Sequence, residues 1–155
     1  MVSQLTQNDA RPDPNSEVST FLRNLHGLNM SIVQQLSPVL EEKQGIDLRL
    51  YYILHAIDVG AVHPGAIAQA MKLPNSLVTK HLDQLAQKGL LERSIDSEDS
   101  RRIRISLTKK GIDLMGGSDG ILAGIVEQRL ARIPEDRRAI FIDTLVALGS
   151  DTKKK

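Results

Sequence analysis

The residues best suited to chemistry are cations and short polar side chains gathered between positions 76 and 104, and the chemistry they suit is anion recognition, not bond breaking. Ser76, Thr79, Lys80, Asp83, Gln84 and Gln87 recur at helical spacing along "NSLVTKHLDQLAQK", so hydroxyls, amides and an ammonium share one face. Such a face offers hydrogen bonds to base edges and phosphates. It is also what an ordinary amphipathic surface helix presents. Downstream, "LLERSIDSEDSRRIRISLT" places Asp96, Glu98 and Asp99 beside Arg101 and Arg102. A carboxylate on a tight loop is expected to hold the Arg101 guanidinium in a fixed fork, so that it projects with its rotamers already restricted. An arginine presented this way suits a narrow, electronegative minor groove. The plainer reading is a surface ion pair that stabilises a turn.

The distribution of charge follows these residues. The net charge of the 155-residue chain is only +1. Residues 1–71 carry 4 basic and 7 acidic side chains, residues 72–110 carry 9 and 5, and residues 111–155 carry 7 and 7. The excess of cations therefore coincides with the candidate face and loop. This is the footprint of a nucleic-acid site or, alternatively, of a solvated face. Aromatic residues make up 3% of the chain and none lies in the basic segment. Single-strand and RNA binders need stacking platforms, so duplex DNA is the expected partner.

Other chemistries find little support. No nucleophile–base–acid set or phosphate-cradling glycine loop is apparent, so no enzyme is expected. The absence of cysteine removes disulfides, thiol nucleophiles and thiolate metal sites. His26, His55, His63 and His81 form no i, i+4 pair, and no metal or cofactor is expected. No apolar run approaches a membrane span, and the polar opening "MVSQLTQNDARPDPNSE" does not have the pattern of a secretory signal. A cytoplasmic protein with no membrane partner is the expectation.

The elements that must position these side chains follow from periodicity. Residues 1–16, with prolines at 12 and 14, are expected to be disordered. From Glu17, apolar residues at steps of three and four predict a long helix, kinked or broken near Pro38 and ending before Gly45. Asp47 is expected to cap a second helix over 47–59. "AVH" suggests one short strand, and Pro64 opens a short third helix. A fourth helix over 75–88 is stopped by Gly89. Two strands, 90–95 and 101–107, follow, with Ile103, Ile105 and Leu107 on one side and Arg102, Arg104 and Ser106 on the other. Thr108 caps a fifth helix and Pro134 opens a sixth. A helix-turn-helix followed by a hairpin is a winged helix. The fold class expected is therefore mostly α with a small β wing.

The segment 77–111, "LVTKHLDQLAQKGLLERSIDSEDSRRIRISLTKKG", resembles the MarR family of bacterial transcription regulators. The match rests on Thr79, Lys80, Leu82, Leu85, Gly89, Leu90 and Arg93, then Asp96, Asp99, Arg101, Leu107, Thr108 and Gly111. Upstream, "GIDLRLYYILHAI" is similar to the family's second helix, with Tyr51 at its aromatic position. The resemblance covers roughly 19–148. It implies a homodimer with a dimerisation helix at 17–45, a winged helix-turn-helix at 46–110, dimerisation helices at 111–149 and a basic tail at 150–155. It also implies DNA contacts from Ser76, Thr79 and Lys80, with Arg101 in the minor groove oriented by Asp99. Gln84 and Arg102 complete the expected DNA-binding set. Two heads would meet half-sites about 34–36 Å apart in a near-palindromic operator.

Many such relatives release DNA when a small phenolic or aromatic acid binds, which makes repression relieved by a ligand the expected role. His26, Met30, Tyr51, His55 and Arg93 are the candidate ligand contacts. Each also has a structural reading: Tyr51 as interface packing, His55 as a satisfied histidine, Arg93 as a phosphate or structural contact. A winged-helix protein–protein module and a ligand-independent DNA-binding protein are the alternatives. The fifth helix departs from the family pattern in "LMGGSDGILAGIV". Its glycines permit either close helix approach or a hinge, and the hinge is the expectation.

Overall fold

A computed structural model describes residues 13–150. Within them the order is α1 (Glu17–Gln44), α2 (Leu48–Asp58), α3 (Pro64–Met71), α4 (Asn75–Gln87), β1 (Leu91–Ile95), β2 (Ile103–Leu107), α5 (Lys109–Leu130) and α6 (Glu135–Gly149). The fold is thus mostly helical with one antiparallel hairpin, as the periodicity implies. No helix among the described residues is long and apolar enough to cross a membrane. The readings made for residues 1–12 and 151–155 lie outside the described residues.

The chain divides into two compact units, one reaching to Gln35 and one starting at Leu36. In the first, residues 13–16 form a turn that caps α1. Asp13 Oδ1 accepts the Asn15 N–H at 2.9 Å, and Ser16 Oγ accepts the Ser19 N–H at 3.2 Å. Its apolar residues Val18, Phe21, Leu22, Leu25 and Leu28 are exposed. Helix α1 then runs unbroken through Pro38, where a break near 37 is the sequence expectation. Proline removes a single i→i−4 hydrogen bond. A 28-residue helix whose Leu36 and Leu40 are buried on either side of that proline retains enough packing to carry the loss.

The second unit is built around the helix-turn-helix. Asp47 Oδ1 accepts the Leu50 N–H at 2.8 Å and fixes the start of α2. Ile53, Leu54, Ile67, Val78, Leu82, Leu85, Leu90 and Ile105 form the dry centre, joined by Leu36, Leu40 and Ile46. Gly89 sits at φ +70°, a left-handed turn that ends α4 and starts the wing at little steric cost. The strands pair with Leu91 opposite Leu107, Arg93 opposite Ile105 and Ile95 opposite Ile103. Val62 forms no strand, but its carbonyl accepts the Ile105 N–H at 2.7 Å, which ties the wing to the segment before α3. Thr108 caps α5 by accepting the Gly111 N–H at 3.1 Å, and its hydroxyl donates to the Gly89 carbonyl at 2.7 Å. Helix α6 buries none of its residues in this unit.

Candidate nucleic-acid interface

Helix α4 is held by its apolar face. Val78, Leu82 and Leu85 are fully buried, so helical geometry turns Ser76, Thr79, Lys80, Gln84 and Gln87 to solvent, and all five are exposed. Pro74 occupies the N-cap and supplies no side-chain hydrogen bond. The first backbone N–H groups of the helix are thus uncapped by any side chain, and they carry the positive end of its dipole. Thr79 donates its hydroxyl to the Asn75 carbonyl at 3.0 Å, which leaves its oxygen as an acceptor facing outward.

The wing is braced against this helix. Arg93 on β1 donates to Asp83 on α4 at 2.7 Å. Arg93, expected at a ligand site, is thus engaged by α4. The two side chains are 39% and 49% exposed, so the pair is worth at most about 1 kcal/mol and acts mainly to set the angle of the hairpin. At the base of α5, the Lys110 ammonium donates to the Lys88 carbonyl at 2.7 Å, closing the end of α4.

The loop of the wing is organised by Asp96. This carboxylate is only 8% exposed. Its Oδ1 accepts the backbone N–H groups of Glu98 at 2.9 Å and Asp99 at 3.1 Å. Its Oδ2 lies 3.4 Å from His63 Nε2 and 3.8 Å from Arg104 Nη1. These partners, the Glu98 N–H foremost, hold its pKa below the usual carboxylate range. The His63 ring also donates from Nδ1 to the Ile103 carbonyl at 2.9 Å, so the residue before α3 reaches both the loop of the wing and the start of β2. The sequence expectation is that Asp99 grips the Arg101 guanidinium. It instead accepts the Arg101 backbone N–H at 3.1 Å, the short reach of an Asx turn two residues on. The loop closes with Arg102 N–H to Asp99 carbonyl at 2.9 Å and Asp96 N–H to Arg102 carbonyl at 3.0 Å. Arg101, Arg102 and Arg104 are exposed around it. What results is a hydrogen-bonded loop carrying the exposed guanidinium groups of Arg101 and Arg102 beside a polar helix face, with Arg104 paired to Asp96, an arrangement fit to grip a polyanion.

A family model described as the MarR family matches residues 44–102. The transcriptional repressor MdtR of Bacillus subtilis is 31% identical over 134 residues, covering 81% of this chain and 84% of that protein. The chain belongs to the MarR family. Among solved structures, a cysteine-to-serine mutant of MarR from E. coli complexed with operator DNA superposes with a TM-score of 0.77 at 20% identity, over 89% of this chain and 99% of that one. PcaV from Streptomyces coelicolor, in complex with its natural ligand, gives 0.70 at 19% identity, over 93% and 99%. As a MarR-family member the protein is a DNA-binding regulator of transcription and not an enzyme.

The remaining MarR-type expectations concern the ligand residues. His26 and Met30 lie exposed on the part of α1 in the first unit. In the second unit Tyr51 and His55 stack, with parallel rings whose centroids are 6.3 Å apart. Tyr51 is buried, and its hydroxyl donates to Asp119 Oδ1 at 2.7 Å. Burial first, and then this carboxylate, push the phenol pKa well above its ordinary value. Asp119 escaped the sequence reading. Its one signal is a carboxylate, a weak helix former, amid the small and apolar residues 114–126 of α5. The sequence marks His63 and His81 only as lacking a metal-ligand pattern; their contacts with the wing loop and with Gln84 come from the fold. No group of three or more metal-ligating side chains occurs among the described residues.

Proposed function

We propose that the protein is a homodimeric, sequence-specific duplex-DNA-binding repressor that a small aromatic ligand releases. The observation that carries the reading is the braced pair of α4 face and wing loop, which present Lys80, Arg101 and Arg102 outward from one rigid head. In this reading residues 46–110 are the reading head. Ser76, Thr79, Lys80 and Gln84 enter the major groove, and the uncapped start of α4 faces a phosphate. Arg101 enters the minor groove, on a backbone set by Asp99, and Arg102 takes a phosphate. One head makes few contacts, so specific affinity calls for two heads on a near-palindrome.

Dimerisation is assigned to 17–45 and 111–149. Support comes from apolar side chains left in solvent: Phe21 and Leu22 on α1, and Ile140, Val146 and Leu148 on α6. For the ligand, the exposed His55 ring offers aromatic surface, backed by the buried Tyr51. Asp119 beside the Tyr51 hydroxyl disfavours an anionic group there and favours a phenol, which can donate a hydrogen bond.

The test is binding of the full chain to duplex DNA across a salt series. Several phosphate contacts require the logarithm of the association constant to fall linearly and steeply with the logarithm of salt concentration. A flat response, or no duplex binding at low salt, would favour a protein–protein module instead. Release of the bound duplex by simple phenols, and not by benzoate, checks the ligand assignment. Indifference to both would leave a ligand-independent DNA-binding protein.

A further inference from the structure

His81 lies on α4 between Lys80 and Leu82, yet it points into the protein and is 8% exposed. Its Nδ1 is 3.0 Å from Gln84 Oε1. A carboxamide oxygen can only accept, so Nδ1 carries the proton and donates. The other ring nitrogen, Nε2, is buried and has no hydrogen-bond partner. A buried nitrogen left unpaired is costly where an apolar side chain would simply fill the space. The hydrogen bond to Gln84 is what this histidine contributes in return.

Gln84 is exposed and stands four and eight residues beyond Lys80 and Ser76, on the same helix face. Glutamine reads adenine with both ends of its amide: the oxygen accepts from N6 and the nitrogen donates to N7. With the oxygen turned toward His81, the NH2 group at the opposite end of the planar amide is the one directed away from it. Facing adenine, a donor can still reach N7, but it meets the N6 amino group, also a donor, where the amide oxygen would have accepted. Facing guanine it meets N7 and O6, both acceptors. We propose that His81 is a specificity-determining positioning residue: it fixes the Gln84 amide with its oxygen inward and so makes Gln84 a donor-only reader that selects guanine over adenine. The inference rests on the DNA-binding reading above and adds a base preference to it.

The experiment selects duplexes from a randomised library with the full-length wild type and with Gln84→Ala, His81→Leu and His81→Asn. The wild type should show a guanine preference at one position of each half-site, and Gln84→Ala should abolish it. His81→Leu should lower the guanine-to-adenine ratio at that same position about tenfold, the scale of one well-placed base contact. His81→Asn, whose amide N–H falls near the place of Nδ1, should restore it. A purely structural histidine would give a uniform loss of affinity with the ratio intact, which overturns the proposal. So does a Gln84→Ala profile identical to the wild type. Nitrogen-15 NMR of the wild-type histidines supplies a readout that no variant's folding can obscure. A His81 ring protonated on Nδ1 supports the assignment, and one protonated on Nε2 overturns it. If the wild type enriches no sequence at all, the DNA-binding reading itself has failed, and this inference with it.

Discussion

At the scale of single residues, Asp96 is the side chain on which the wing depends. It is a buried carboxylate satisfied by two backbone N–H groups and faced by His63 and Arg104. Its pKa is lower folded than unfolded, so its contribution is fully present above the ordinary carboxylate range and is lost as pH falls through the lowered value. Amide exchange at Glu98 and Asp99 should therefore be slow at neutral pH and should accelerate on strong acidification. Asp96→Ala should give fast exchange at every pH and weaken duplex binding severalfold. Asp96→Asn keeps an acceptor but no charge, and should remove the acid dependence while leaving the loop closed. Arg101 is the complementary case. Its guanidinium is exposed and its backbone is fixed, so Arg101→Ala should cost about 1–3 kcal/mol of operator binding with no change in thermal stability. Gel-shift titration beside a melting curve checks both halves of that statement.

At the scale of elements, α5 brings its glycines into different surroundings. A Cβ on Gly111 would collide with the Leu90 carbonyl oxygen, and one on Gly117 would come within 2.6 Å of the Gln44 side-chain amide. Gly116, Gly120 and Gly124 have nothing within 4 Å. Close approach therefore accounts for Gly111, where backbone meets backbone, and in part for Gly117, where a flexible side chain can yield. It does not account for the other three within this chain. Gly111→Ala should destabilise by about 1–3 kcal/mol, since Leu90 starts the wing and cannot shift freely. Gly116→Ala should raise stability by about 0.4–1 kcal/mol. The Gly116→Ala, Gly117→Ala pair tests the hinge: altered operator affinity supports a soft arm, and unchanged affinity with a raised melting temperature removes that reading. Calorimetry and titration on the same preparations separate the two results.

At the scale of the whole molecule, the two compact units each leave apolar side chains in solvent. On α6, Ile140 is 65% and Leu148 61% exposed, a face that a partner copy would cover. Ile140→Asp with Leu148→Asp should convert a dimer to a monomer in sedimentation and reduce affinity for a two-half-site operator far more than for a single half-site. The helices, the turn at Gly89, the presence of the hairpin and the basic character of the middle third were all legible in the residues. Each depends on neighbours within a turn or on strict alternation: Asp47 caps α2 and Thr108 caps α5 by contacts three residues long. What packing alone decided was which polar groups meet across the chain. Tyr51 finds Asp119 over a separation of 68 residues, and His63 finds Ile103 over 40. Asp96 turns inward while Asp99 serves only the backbone, and Pro38 is carried inside a continuous helix because Leu36 and Leu40 anchor both sides of it. Local propensity is written in adjacent residues, whereas the burial of a lone histidine or aspartate depends on segments that only the folded chain brings together.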